Sequence, residues 1–295
     1  MEVSFLGMGC HALGGTSVKD AETLVLQSID AGIIVFDTAE CYGPSEERLG
    51  SVLGSHRQAC YIFTKCGHAD GLGLPDWSPL LIEKSIERSL RRLRTDYLDL
   101  VQLHSCSRKI LERGEAIEAL QRAKAAGKAR YIGYSGDRQA AYYAVTCGAF
   151  DVLETSVNLV DQQAIDLVLP HAQARQIGIV TKRSIANAVW RETARPSNAD
   201  RRIYWERFRR LRYDFLTKSG DEIASIALRF TISIPEVDVT IVGTTQPSRI
   251  MQNKKALAQG PLPREQFEMI RKRWRAVTDW RRLLPGGRLG WQGLT

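Results

Sequence analysis

Two rhythms alternate along the chain. Short apolar runs, the pattern of buried strands, are separated by longer stretches whose apolar residues recur at helical spacing. Runs at 3–7, 32–37, 61–65, 97–104, 129–135, 151–156, 177–182 and 237–242 read as eight strands. Helical patterns fall at 20–31, 45–53, 78–93, 116–126, 138–146, 164–176, 221–232 and 248–258. Ala21, Leu24, Val25, Ile29 and Ala31 make the apolar face of the first, and Ser45-Glu-Glu supplies a cap and first-turn acids to the second. A polar, basic passage at 190–213 reads as an insertion carrying some helix. A further basic amphipathic helix at 264–280 leads into a Gly-rich tail.

Sustained strand–helix alternation predicts a parallel sheet, and eight units favour closure into a (β/α)8 TIM barrel over an open doubly wound sheet. No Ser/Gly linker interrupts the series, so residues 1–295 read as a single domain. No GxGxxG strand–turn–helix fingerprint with an acid ~20 residues on is present, which argues against a Rossmann cofactor site.

Composition narrows the partners. A net charge of +8 on 295 residues suits an anionic small molecule, but the basic residues form no uninterrupted patch. No nucleic-acid motif appears. With no secretory signal and no span of ~18 apolar residues, the expectation is a soluble cytoplasmic protein with reduced thiols. None of its six cysteines forms a CxxC pair. Oligomeric state is left open.

Candidate chemistry gathers at the strand ends. The second predicted strand delivers Asp37, with Tyr42 in the loop beyond; the third ends at Lys65 and the fourth at His104. In a barrel these four converge on the C-terminal mouth. Taken singly, each has a bland reading as a turn cap, a surface group or a structural histidine. Together they suit proton donation to a carbonyl oxygen as hydride reaches carbon. A free phenol titrates near ~10, and a neighbouring ammonium lowers that value. Lys65, held by Asp37, would be that ammonium, and His104 would position the substrate oxygen against Tyr42. Such a device needs a hydride source, which implies a nicotinamide cofactor.

Across almost its whole length the chain resembles the aldo-keto reductases. The matching segments are 7–15 (GMGCHALGG), 36–43 (FDTAECYG), 63–65 (FTK), 94–104 (RTDYLDLVQLH), 131–135 (YIGYS), 157–161 (VNLVD), Lys182–Arg183, and 242–253 (VGTTQPSRIMQN). The resemblance implies a catalytic tetrad at Asp37, Tyr42, Lys65 and His104. It also implies NADPH extended across the barrel mouth and reduction of an aldehyde or ketone without metal. Cofactor contacts carried over are Thr244, Thr245 and Arg249 at the 2′-phosphate, with Asn253 and Gln252 near the adenine. Arg183 is placed near the ring, and Gly243 stands where a Lys usually precedes the loop. Backbone N–H groups at a helix start plus a guanidinium suit a phosphate.

Two departures concern the nicotinamide carboxamide. Where the family has Ser-Asn and then Gln, this chain has Ser135–Gly136 and Glu154, and an ionised Glu accepts but cannot donate. Val157 stands where the family often has Tyr. Substrate contacts are expected from the variable loops, with His11, Leu13, Trp77, Ser105, Cys106, Trp190 and Trp291 as candidates. Two other classes stay open: a non-catalytic NADPH-binding sensor or regulatory subunit, and a zinc hydrolase using thiolates and imidazoles at the mouth.

Overall fold

The computed structural model describes residues 2–278. Eight parallel strands close on themselves in chain order: β1 (Leu6–Gly9), β2 (Val35–Asp37), β3 (Tyr61–Cys66), β4 (Leu98–His104), β5 (Ala129–Ser135), β6 (Val152–Ser156), β7 (Gly178–Lys182) and β8 (Val239–Gly243). The predicted barrel is the observed one. β1 pairs with both β2 and β8, setting Gly9 between Asp37 and Gly243.

Strand parity decides what enters the barrel. Side chains two residues apart share a face, and Val35, Phe63, Leu100, Val152, Val180, Val239 and Ile241 pack together as one interior cluster. Two residues further on, the same face carries Asp37, Lys65, Gln102, Glu154 and Lys182. The interior is therefore layered, with an apolar plug below and a charged layer at the C-terminal end of the strands. The opposite parity, including Val101, Ile132, Leu153 and Ile179, joins the larger core beneath the helices.

Element boundaries differ from expectation in several places. The first strand lies at Leu6–Gly9, so the glycine-rich stretch is partly strand and continues into a short 3-10 turn, His11–Gly15. A Cβ on Gly7 would come within 2.5 Å of Ile241 Cδ1, so a larger residue in β1 would have to displace that methyl. The helix expected at 164–176 is two short helices, Gln163–Leu167 and Leu169–Gln173. Val168 leaves helical geometry just before Pro170, which has no N–H to continue the ladder. The last helix is Arg264–Val277; residues 279 and 280 and the tail lie outside the described residues.

The 190–213 passage does carry a helix, Ala199–Leu211, capped by Asn198, whose side chain accepts from the Arg201 N–H. Among the described residues no helix is long and apolar enough to cross a membrane.

Candidate active site

β2 ends at Asp37, and the loop that follows is tied down before it reaches Tyr42. The Thr38 N–H donates to Phe63 O at 2.8 Å, and the Thr38 and Ser45 hydroxyls share a hydrogen bond of 2.9 Å. Glu40, fully buried, accepts from the Gly67 and His68 N–H groups at 2.8 and 3.1 Å and pairs with Arg88 at 3.1 Å. Arg92 donates to the Glu40 carbonyl at 3.0 Å. Sequence reading had missed Glu40. The signal was an acid inside the Asp37–Tyr42 segment facing two arginines one turn apart on helix Pro79–Leu93.

Lys65 is completely buried and donates to both Asp37 oxygens, at 2.6 and 2.7 Å, and to Thr38 O at 3.0 Å. Its ammonium lies 5.6 Å from the Tyr42 ring centroid, and the His104 ring lies 5.8 Å from Tyr42. His11 packs edge-on against Tyr42 at 4.7 Å. The four strand-end groups do converge.

Glu154 brings a second carboxylate to the same lysine. Its Oε2 lies 3.3 Å from Lys65 Nζ and accepts from Gln102 Nε2 at 2.9 Å; its Oε1 accepts from Ser135 Oγ at 3.0 Å. Ser135 in turn accepts from Lys182 at 3.1 Å. Gln102, another residue missed from sequence, is fully buried, and its Oε1 has no partner. Its place in the interior parity two residues before His104 was the available signal.

Two carboxylates and one ammonium set the titration of the site. Burial and then the Glu154 charge push Asp37 well above the usual carboxylate range. Burial opposes ionisation of Glu154 as well, but Lys65, Lys182 and the Gln102 amide outweigh it and hold that carboxylate low. Burial works against Lys65 too, yet Asp37 and Glu154 keep it firmly protonated. Tyr42 is raised: burial dominates, Lys65 pulls it down, and Asp37 and Glu154 push it up. The expected downward pull of Lys65 exists and is outweighed. His104 is lowered to about 3 by burial and the Lys65 charge, so its ring is neutral near pH 7. Cys41 Sγ lies 3.5 Å from His104 Nδ1, and burial raises its thiol to about 11.

These groups open on a cleft of about 750 Å³ that runs from Tyr42 and His104 past Glu154 and Lys182 to Arg249. Of the predicted cofactor positions, Ser135, Glu154, Lys182, Arg183, Gly243, Thr244, Thr245, Arg249 and Asn253 line it, as does His11. Gln252 does not; it accepts from Arg249 Nη1 at 2.8 Å from outside the cleft. Asp221, unanticipated, pairs with both Arg249 and Arg191.

Three substrate candidates fall away from the cleft, the first being Leu13, which is fully buried in the core beneath the helices. Cys106 is buried in the helical core, and its carbonyl accepts from the Tyr134 hydroxyl at 2.7 Å. Trp77 does not line the cleft; it packs on His68, 4.8 Å away, whose ring lies 5.4 Å from His104. Ser105 and Trp190 do line the cleft, and Trp291 lies outside the described residues. Gly136 has a structural reason: a Cβ there would sit 2.2 Å from the Tyr134 hydroxyl, so no asparagine fits. Among the described residues no three metal-ligating side chains come together.

A profile of the Aldo/keto reductase family matches residues 5–275. The chain belongs to that family. It is 28% identical over 285 residues to an L-galactose dehydrogenase of Arabidopsis thaliana, covering 88% of this chain and 86% of that one. A Bacillus subtilis protein described as the uncharacterized oxidoreductase YqkF is 26% identical, with 92% of each chain covered. Among solved structures, the holo form of the aldo-keto reductase AKR11C1 from Bacillus halodurans superposes with a TM-score of 0.78. It shares 26% identity over 92% of this chain and 93% of that one. Membership makes this aldo-keto reductase an oxidoreductase.

Proposed function

We propose that this aldo-keto reductase, a single catalytic domain, reduces an aldehyde or ketone to an alcohol with NADPH, Tyr42 giving the proton. The observation that carries the reading is one continuous cleft with Tyr42, His104 and the Lys65–Asp37 pair at one end and Arg249 at the other. NADPH, when bound, supplies the hydride.

The donor set fits the dinucleotide unevenly. Thr244, Thr245 and Arg249 flank the start of helix Pro247–Ala258 and suit the 2′-phosphate, with Asn253 toward the adenine. At the nicotinamide end Glu154 accepts from the carboxamide NH2, but neither Gly136 nor Glu154 donates to its carbonyl. The Ser135 hydroxyl already donates to Glu154, which leaves the Lys182 ammonium as the donor on that wall.

Protein groups then handle the proton. Tyr42 stays protonated at neutral pH, as an acid must, and Lys65 steadies the phenolate left behind. A protonated thiol at Cys41 donating to Nδ1 of a neutral His104 leaves the His104 proton on Nε2, free to bond the carbonyl oxygen. A non-catalytic NADPH sensor has no use for such a proton relay.

The test is a fluorescence titration with NADPH, followed by NADPH consumption against a panel of aldehydes and ketones. Binding with turnover is expected. Tight binding without turnover on any carbonyl would favour the sensor, and no dinucleotide binding would refute the reading.

A further inference from the structure

Beside the mouth, beneath helix Ala199–Leu211, lies a second cavity of about 1020 Å³ for which carbonyl reduction has no use. Its floor is apolar, formed by Trp190, Phe208, Ile223 and Val277, while its rim is cationic and none of its lining side chains is acidic. Two carboxylates that follow the lining Gly220 in the chain are already committed. Asp221 pairs with Arg191 and Arg249, and Glu222 bonds Ser219 and lies 3.7 Å from Lys218.

Four rim guanidiniums, those of Arg209, Arg210, Arg212 and Arg273, have no carboxylate partner among the described residues. That of Arg209 lies over the Trp205 ring at 5.3 Å. Arg273 is oriented by main-chain carbonyls, donating to Leu211 O at 2.6 Å and Arg210 O at 3.4 Å, so its charge stays intact. A cluster of like charges is costly, and a bound polyanion relieves it. The chain beyond the described residues, 279–295, carries three arginines against one aspartate, so its charge does not complement this rim.

We propose that this cavity binds an organic polyanion of the nucleoside polyphosphate class, its flat apolar part against Trp190 and Phe208 and its phosphates on the Arg209–Arg212 and Arg273 guanidiniums. The size suits such a ligand, and guanidiniums bind phosphate oxygens in forked pairs. Trp190 and Arg191 also line the mouth cleft, so occupancy of one cavity alters affinity in the other.

The test needs no assumption about carbonyl turnover. The full chain is saturated with NADP+ so that the mouth cleft is filled, then titrated with UTP by equilibrium dialysis at ~0.15 M salt. One saturable site per chain is expected, with inorganic tripolyphosphate competing more weakly. Replacing three exposed side chains together (Arg209→Ala, Arg210→Ala, Arg212→Ala) should weaken UTP about 30-fold and leave direct NADPH binding within about twofold. Trp190→Phe should weaken UTP and spare tripolyphosphate. UTP binding that vanishes under NADP+ saturation, or that is unchanged in the triple variant, overturns the proposal. Tripolyphosphate binding as tightly as UTP overturns the nucleoside part.

Discussion

The two ends of the mouth cleft are built on opposite terms. At the Tyr42 end every charged group is buried, bonded to several partners and placed by strand register; Lys65 is fully buried and Asp37 nearly so. At the Arg249 end the cation sits on a helix after β8, partly open to solvent, and its partner Asp221 comes from an exposed helix start. Charges in the first region act at low dielectric and are hardly screened, whereas those in the second act through water and salt. Substitutions at the buried end should therefore change chemistry and pH dependence, and those at the exposed end should change affinity and salt dependence.

Tyr42→Phe is the strongest test of that contrast. It should lower turnover by roughly 10²- to 10⁴-fold while NADPH affinity and melting temperature stay unchanged. Retained activity would show that the proton comes from elsewhere. Next, Arg249→Ala should weaken NADPH by roughly 10- to 100-fold, leave NADH nearly unaffected and flatten the salt dependence of NADPH binding. Equal losses for both cofactors would move the phosphate site. Asp221→Asn should shift NADPH the other way, since it removes a competing anion from Arg249.

Glu154→Gln probes the buried end by charge alone. Glu154 pushes the Tyr42 phenol upward, so its neutralisation lets Lys65 pull the phenol down. Reduction through Tyr42 would need the protonated phenol, so the alkaline limb of the kcat profile should move to lower pH. An unmoved limb would mean that the two groups do not communicate. The smallest effect is expected from Cys41→Ala, which removes the partner of His104 Nδ1 and should lower kcat roughly three- to tenfold. A nitrogen NMR measurement should show the proton spread over both ring nitrogens; an unaltered tautomer would exclude the thiol as its cause.

The barrel was legible because its signal is repeated: eight apolar runs with helical patterns between them fix closure even when single boundaries slip. Asp37, Lys65 and His104 were legible because each sits at the end of such a run. Glu40, Gln102 and Asp221 were not, because their roles depend on contacts between segments far apart in the chain. Arg88 meets Glu40 across 48 positions, and Gln102 meets Glu154 across 52. Cys106 misled for a related reason. Proximity to His104 in sequence says nothing about which way a side chain turns once the strand has ended, and here it turns into the helical core. Gly136 looked like a lost function and proves to be a steric demand of Tyr134.

One feature of the closure reaches beyond the folded state. Gly9 and Gly243, at the ends of β1 and β8, lie side by side and form part of the cleft wall. A nascent chain on the ribosome carries the first of these long before the second is translated. It cannot assemble the mouth cleft until β8 has emerged, and until then the charged layer over the plug must stay hydrated at an open seam.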